Sequence, residues 1–152
     1  HPCEVLVSIG GFFRFLQQGE RPGQKPLALR KQIRYFQSYP SESLKIFMEK
    51  CGLIKNFKQL NTSILTDDLK SLSTLDVTSC KINGNVLYLH GMADEIVTYE
   101  TLLDQCASDQ AVIRTHPTAP HALGSLESRW CADQIVDFLK KQNQFSDCTL
   151  ID

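Results

Sequence analysis

The stretch Asn85-Val86-Leu87-Tyr88-Leu89-His90-Gly91-Met92-Ala93-Asp94-Glu95-Ile96-Val97 decides the architecture. Its first six residues form a short apolar run behind the turn-forming pair Asn83-Gly84, which predicts a buried strand. Tyr99 to Ala107 follows as a helix with Leu102, Leu103 and Cys106 inward, and Ala111-Val112-Ile113-Arg114-Thr115 reads as a second strand. A last helix over Trp130 to Lys141 places Cys131, Ile135, Phe138 and Leu139 on one face. Strand, helix, strand, helix at this spacing predicts a parallel α/β unit, in which ligands gather at the carboxyl ends of the strands.

Upstream, residues 4–11 (Glu4-Val5-Leu6-Val7-Ser8-Ile9-Gly10-Gly11) predict a further buried strand breaking into a loop that runs to Pro26. Pro26 suits the first turn of a helix, in which Leu29, Ile33 and Phe36 share one side while Arg30, Arg34 and Gln37 take the other. Tyr39-Pro40 stops it. A second helix starts near Ser41, buries Leu44, Phe47, Met48 and Cys51, and ends at Gly52; Leu65, Leu69 and Leu72 suggest a third. The expected division is 1–18 core strand and loop, 19–76 helical lid, and 77–152 α/β core.

The length of 152 residues suits one domain, and 42% hydrophobic with 22% charged residues argues against disorder, collagen and coiled coil. No stretch reaches the roughly 18 apolar residues of a membrane helix, and no secretory signal opens the chain, so the expected setting is soluble and cytoplasmic, without membrane. The chain opens on His1-Pro2 rather than methionine, which suggests processing, an internal start or a fragment. Cys3, Cys51, Cys80, Cys106, Cys131 and Cys148 form no C-x-x-C pair, favouring reduced, mostly buried thiols over disulfides or a metal site. There is no Walker loop, Rossmann glycine fingerprint or zinc spacing either, so no cofactor or metal is expected.

The formal charge of −1 conceals an asymmetry: residues 14–58 hold ten basic side chains against three acidic ones, while everything from Gln59 onward holds six against thirteen. A positive segment of this kind attracts anionic partners, although a solvated helix face accounts for the same pattern.

Asp94 follows one predicted strand and His121 the next. An imidazole there can take a proton from a hydroxyl, and a carboxylate on its other nitrogen fixes the tautomer. Each also has an ordinary reading, Asp94 as a turn former and His121 as a structural histidine. His116 is the rival base, His90 reads as a packing or backbone-bonding residue, and Glu95 would point elsewhere.

The G-x-x-D-x-x-V pattern at Gly91, Asp94 and Val97, with a histidine after the last strand, resembles the C-terminal half of the α/β-hydrolase superfamily. The resemblance implies that Asp94 is the triad acid and His121 the base, in that superfamily's chain order of serine, acid, histidine. The opening His1-Pro2-Cys3-Glu4-Val5, the Arg21-Pro22-Gly23-Gln24-Lys25-Pro26 run, Leu72 to Asp76 and the two loops are similar to the pimeloyl-acyl carrier protein methyl ester esterase family of biotin synthesis. That similarity implies an acidic acyl carrier protein as partner, not nucleic acid. It is bound through Arg30 and Arg34, less securely Lys31 and Lys45, with Phe36 and Phe47 lining an acyl site. Other lipases and esterases share several of these motifs, which leaves a different ester substrate open. The sequence contains no G-x-S-x-G pentapeptide, so the resemblance implies a nucleophilic serine upstream of His1; a non-catalytic truncated hydrolase is the alternative. A half-sheet with an open, association-prone edge is the structural expectation.

Overall fold

The computed structural model describes residues 5–54, 60–80, 82, 84–106 and 111–147, with side chains to residue 142. Three strands, β1 (Val5–Ile9), β2 (Asn85–Gly91) and β3 (Ala111–His116), form one parallel sheet in the order β1-β2-β3. Val5 lies opposite Asn85, and Val86 opposite Ala111. Among the described residues between β1 and β2 lie three helices, α1 (Pro26–Ser38), α2 (Pro40–Lys50) and α3 (Thr62–Ser71); α1 packs on both of the others. Then α4 (Tyr99–Gln105) joins β2 to β3, and a single turn, α5 (Leu123–Leu126), precedes the long α6 (Ser128–Asp147). The expected ends at Glu4 and Ala107, and Cys3 and Cys148, lie outside the described residues.

Because side chains alternate across a strand, β2 serves two cores. Leu87 and Leu89 pack with Leu123, Cys131 and Phe138 on the α6 side, whereas Val86 and Tyr88 pack with Leu102 on the α4 side. The central strand is buried from Val86 to Gly91, while β1 is only half-buried and Ile9 exposed, a departure from the expected buried strand. Among the described residues β1 pairs on one side alone, which accounts for the difference. Two inward assignments are also corrected: Leu103 and Leu139 are exposed, because each sits one residue past the buried position of its helix, Leu102 and Phe138. The described cysteines are all free; Cys51 and Cys131 are buried as expected, but Cys80 sits exposed in the turn before β2.

The helical insertion leaves and rejoins the core at one neck. Arg14 bridges Asp76 in antiparallel fashion, and the Val77 amide donates to the Phe13 carbonyl at 2.9 Å. Gln105, buried at the end of α4, accepts from the amides of Phe13 (2.7 Å) and Arg14 (3.0 Å) and donates to the Arg14 carbonyl (2.7 Å). The Arg14 guanidinium is itself buried and pairs with Asp104 at 3.1 Å. One side chain thus satisfies three backbone groups that would otherwise be buried without partners. We predict that Gln105→Ala lowers the unfolding free energy by about 2–4 kcal/mol, since buried orphaned polar groups cost about 1–3 kcal/mol each. Urea unfolding checks this, and a loss below about 1 kcal/mol would contradict the neck's role.

Candidate active site

β2 ends at Gly91, and β3 ends at His116. The two loops that follow are stitched together: the Met92 amide donates to the His116 carbonyl at 2.9 Å and the Ala93 amide to the Ala119 carbonyl at 3.1 Å. Gly91 lies so close to the Ala119 carbonyl that a β-carbon there would overlap it, so only glycine allows this approach.

Asp94 projects from the first loop with its carboxylate almost wholly buried, its side chain 1% exposed. Oδ1 accepts from the amides of Ile96 (2.8 Å) and Val97 (2.9 Å). Oδ2 lies 2.8 Å from Nδ1 of His121, whose side chain is 23% exposed. With an ionised carboxylate as acceptor, Nδ1 carries the proton and donates, which leaves Nε2 as the nitrogen able to accept one. Burial, the largest single influence, pushes the Asp94 carboxyl up. The His121 hydrogen bond, the Val97 and Ile96 amides and the imidazole charge together outweigh it and hold the group below the ordinary carboxylate range.

The other candidates fall elsewhere. His116, the rival base, has Nε2 3.8 Å from Glu127 and its ring edge-on to Trp130 at 5.3 Å. Glu95 is exposed and forms an ion pair with Lys50 at 3.8 Å. His90 is fully buried against Tyr99, with the Val97 backbone close enough to act on its ring, so the packing and backbone-bonding readings both stand. Burial pushes the His90 imidazole down and the His121 charge reinforces this, while the Asp94 charge and the Val97 backbone hydrogen bond oppose it.

A cavity of about 490 Å³ opens between the helical insertion and the core and reaches His121; Phe12, Phe15, Tyr35, Phe47 and Leu69 supply much of its apolar wall. A smaller one, about 190 Å³, lies among α1, α2 and α3 and contains both Phe36 and Phe47 in its lining. Phe36 therefore sits deep in the helical layer, whereas Phe47 borders both spaces. Arg30, Lys31 and Arg34 are exposed on α1. Lys45 is exposed on α2 and lies 3.9 Å from Glu49. The residues that fasten the end of α2 to the His121 loop, Cys51 and Gly52, escape sequence reasoning: they show only a buried helix stripe and a helix end, and a contact made by a main-chain carbonyl leaves no mark in the residue types.

No protein-family model matches the sequence, and neither does any curated protein. Solved structures do. An esterase from Exiguobacterium antarcticum superposes with a TM-score of 0.66 at 17% identity, over 90% of this chain and 57% of its own. A bromoperoxidase from Bacillus anthracis gives 0.67 at 15% identity, over 90% of this chain and 58% of its own. A lipase-esterase related protein from Clostridium acetobutylicum gives 0.64 at 17%, over 89% and 56%. The chain thus spans less than two thirds of the length of each. These structures are α/β-hydrolases, and three parallel strands, flanking helices and a helical insertion after β1 give this chain the fold of the C-terminal part of an α/β-hydrolase.

Proposed function

We propose that this chain is the acid- and base-bearing part of a serine carboxylesterase, with Asp94 and His121 as two members of a triad whose serine lies upstream of His1. The single observation that supports this reading is the 2.8 Å contact between His121 Nδ1 and a buried Asp94 carboxylate at the edge of a largely apolar cavity. In the reaction, His121 Nε2 takes the serine hydroxyl proton as the oxygen attacks the ester carbonyl, then returns it to the departing alkoxide as the acyl-enzyme forms. Water repeats the sequence and releases the acid. Asp94 stays ionised, orienting the ring and stabilising the transient imidazolium. The finer reading is hydrolysis of the methyl ester of a pimeloyl group on acyl carrier protein. The exposed Arg30, Lys31 and Arg34, with Lys45, then meet the acidic carrier, while Phe47 flanks the acyl chain and Phe36 backs it from the neighbouring space among the helices. The alternative of a non-catalytic polypeptide is supported by the lack of any G-x-S-x-G in these residues.

In the full-length gene product, Asp94→Asn and His121→Ala are expected to lower kcat by about 10³–10⁴-fold on a methyl ester, and the pair should be far from additive. Retention of activity within tenfold would remove the hydrolase reading. A fluorophosphonate should label the full-length product but not residues 1–152 alone. For the partner, Arg30→Glu with Arg34→Glu should raise KM for the acyl-carrier ester on the order of tenfold, in a salt-dependent way, while kcat on a small methyl ester is unchanged. Equal effects on both substrates would point to misfolding rather than docking.

The Asp94 pKa also carries a sign. A carboxyl held below its unfolded value contributes stability that is complete above about pH 4 and is lost as pH falls through the folded value. Between pH 5 and pH 3 the unsubstituted chain should therefore lose more stability than Asp94→Asn, as read from urea midpoints; parallel curves would contradict the buried, ionised carboxylate.

A further inference from the structure

Among the described residues, the C-terminal turn of α2 brings the helical insertion against the His121 loop. The Gly52 amide donates to the Glu49 carbonyl and the Leu53 amide to the Met48 carbonyl, both around a left-handed Gly52 with φ of 79°. This closes the helix end on itself and leaves the Cys51 carbonyl over. That carbonyl accepts, at 3.1 Å, from the amide of Ala122, the residue directly after His121. Gly52 presents its bare α-carbon to the residue directly before His121: a β-carbon would overlap Cγ of the Pro120 ring and approach Leu126 Cδ1 to 2.9 Å. Both neighbours of His121 in the chain are thus held by the two consecutive residues that directly follow α2. A third tie, Lys50 to Glu95 at 3.8 Å, reaches the Asp94 loop from the same turn.

We infer that Cys51, through its carbonyl, and Gly52 are positioning residues that set His121 against Asp94, so that the placement of α2 governs whether the pair is assembled. The inference rests on the proposed catalytic pairing of those two residues and adds its control. Ser43, Ile46, Phe47 and Lys50 of the same helix line the cavity that reaches His121. An acyl chain lodged there bears on the element that holds the imidazole, which couples occupancy to proton transfer. A packing role alone would stabilise the insertion without affecting the His121–Asp94 bond.

The test uses the full-length gene product labelled with ¹⁵N and reads two quantities: the low-field proton resonance of His121 Nδ1–H, and the hydrogen-exchange rate of the Ala122 amide relative to that of Leu89 in β2. Gly52→Ala should lose the resonance and speed relative exchange of Ala122 by about tenfold. Gly52→Ala with Pro120→Ala, which removes the nearest obstructing atom but leaves the left-handed strain and the approach to Leu126, should recover part of the resonance. Leu65→Ala, which loosens the insertion at α3, should leave both readings in place. A resonance that persists in Gly52→Ala, or disappears equally in Leu65→Ala, overturns the inference. Should Gly52→Ala fail to fold, the unsubstituted chain decides: Ala122 must open together with Leu53, and opening with Leu126 instead overturns it. Absence of the resonance from the unsubstituted chain would count against the Asp94–His121 pairing itself, while the exchange data would still judge the α2 contact.

Discussion

A carboxylate taken out of water has to be given donors, and most of this structure's functional end follows from meeting that requirement at Asp94. Leaving such a charge bare costs several kcal/mol even after relaxation. Its three donors are the Ile96 and Val97 amides from its own loop and the His121 ring from the next. Two of them fold the Asp94 loop into a tight turn; the third draws the loop after β3 across the sheet edge. The Gly91–Ala119 approach and the Met92 and Ala93 amide bonds are then the backbone arrangement that allows the two loops to lie side by side. At His90, fully buried next to this charge, burial outweighs the attraction of the carboxylate and pushes the imidazole below its ordinary range.

Among the described residues, two attachments of different character hold the insertion. At its neck, Arg14 and Gln105 use buried side chains to secure the backbone where the chain leaves the sheet. At the far end of α2 the attachment is almost entirely backbone, a carbonyl to an amide and a glycine to a proline ring. The cavity between insertion and core lies where both attachments can shape it. Side-chain anchors of the first kind fix where the helices start. A backbone contact of the second kind transmits small displacements, because neither partner has rotamers with which to absorb them.

How much of this could be read from the residues depends on the length of each pattern. β2, β3 and the helices α1, α2, α3, α4 and α6 were legible since apolar residues recur at the strand or helix period over several positions. Leu103 and Leu139 were misplaced for the same reason: in a narrow buried stripe one residue's step of about 100° moves a side chain from core to solvent, and an apolar side chain by itself does not say which. The single turn α5 is too short to show a period. Asp94 and His121 were legible because they follow successive strand ends, where parallel sheets place their ligands. Gln105 looked like any polar residue near a helix end, and nothing in its type announces three bonds to distant backbone.

The division of α1 between its two sides bears on the proposed substrate. Leu29 and Phe36 are buried, while Arg30, Lys31 and Arg34 stand in solvent, and among the described residues none of those three forms an ion pair. Unpaired surface cations pay no desolvation cost until a partner arrives, so they act on encounter rate and orientation more than on holding strength. The cavity wall, apolar and partly enclosed, acts in the opposite sense, rewarding a bound chain by burial and doing little at long range. For a substrate that is a small acyl ester on a large acidic carrier, the first surface brings the carrier to the insertion and the second decides which acyl group stays. Under the proposed function, then, substrate choice has two separable parts: substitutions at Arg30 or Arg34 alter recognition of the carrier, and substitutions at Phe47 alter chain preference, with the His121–Asp94 geometry common to both.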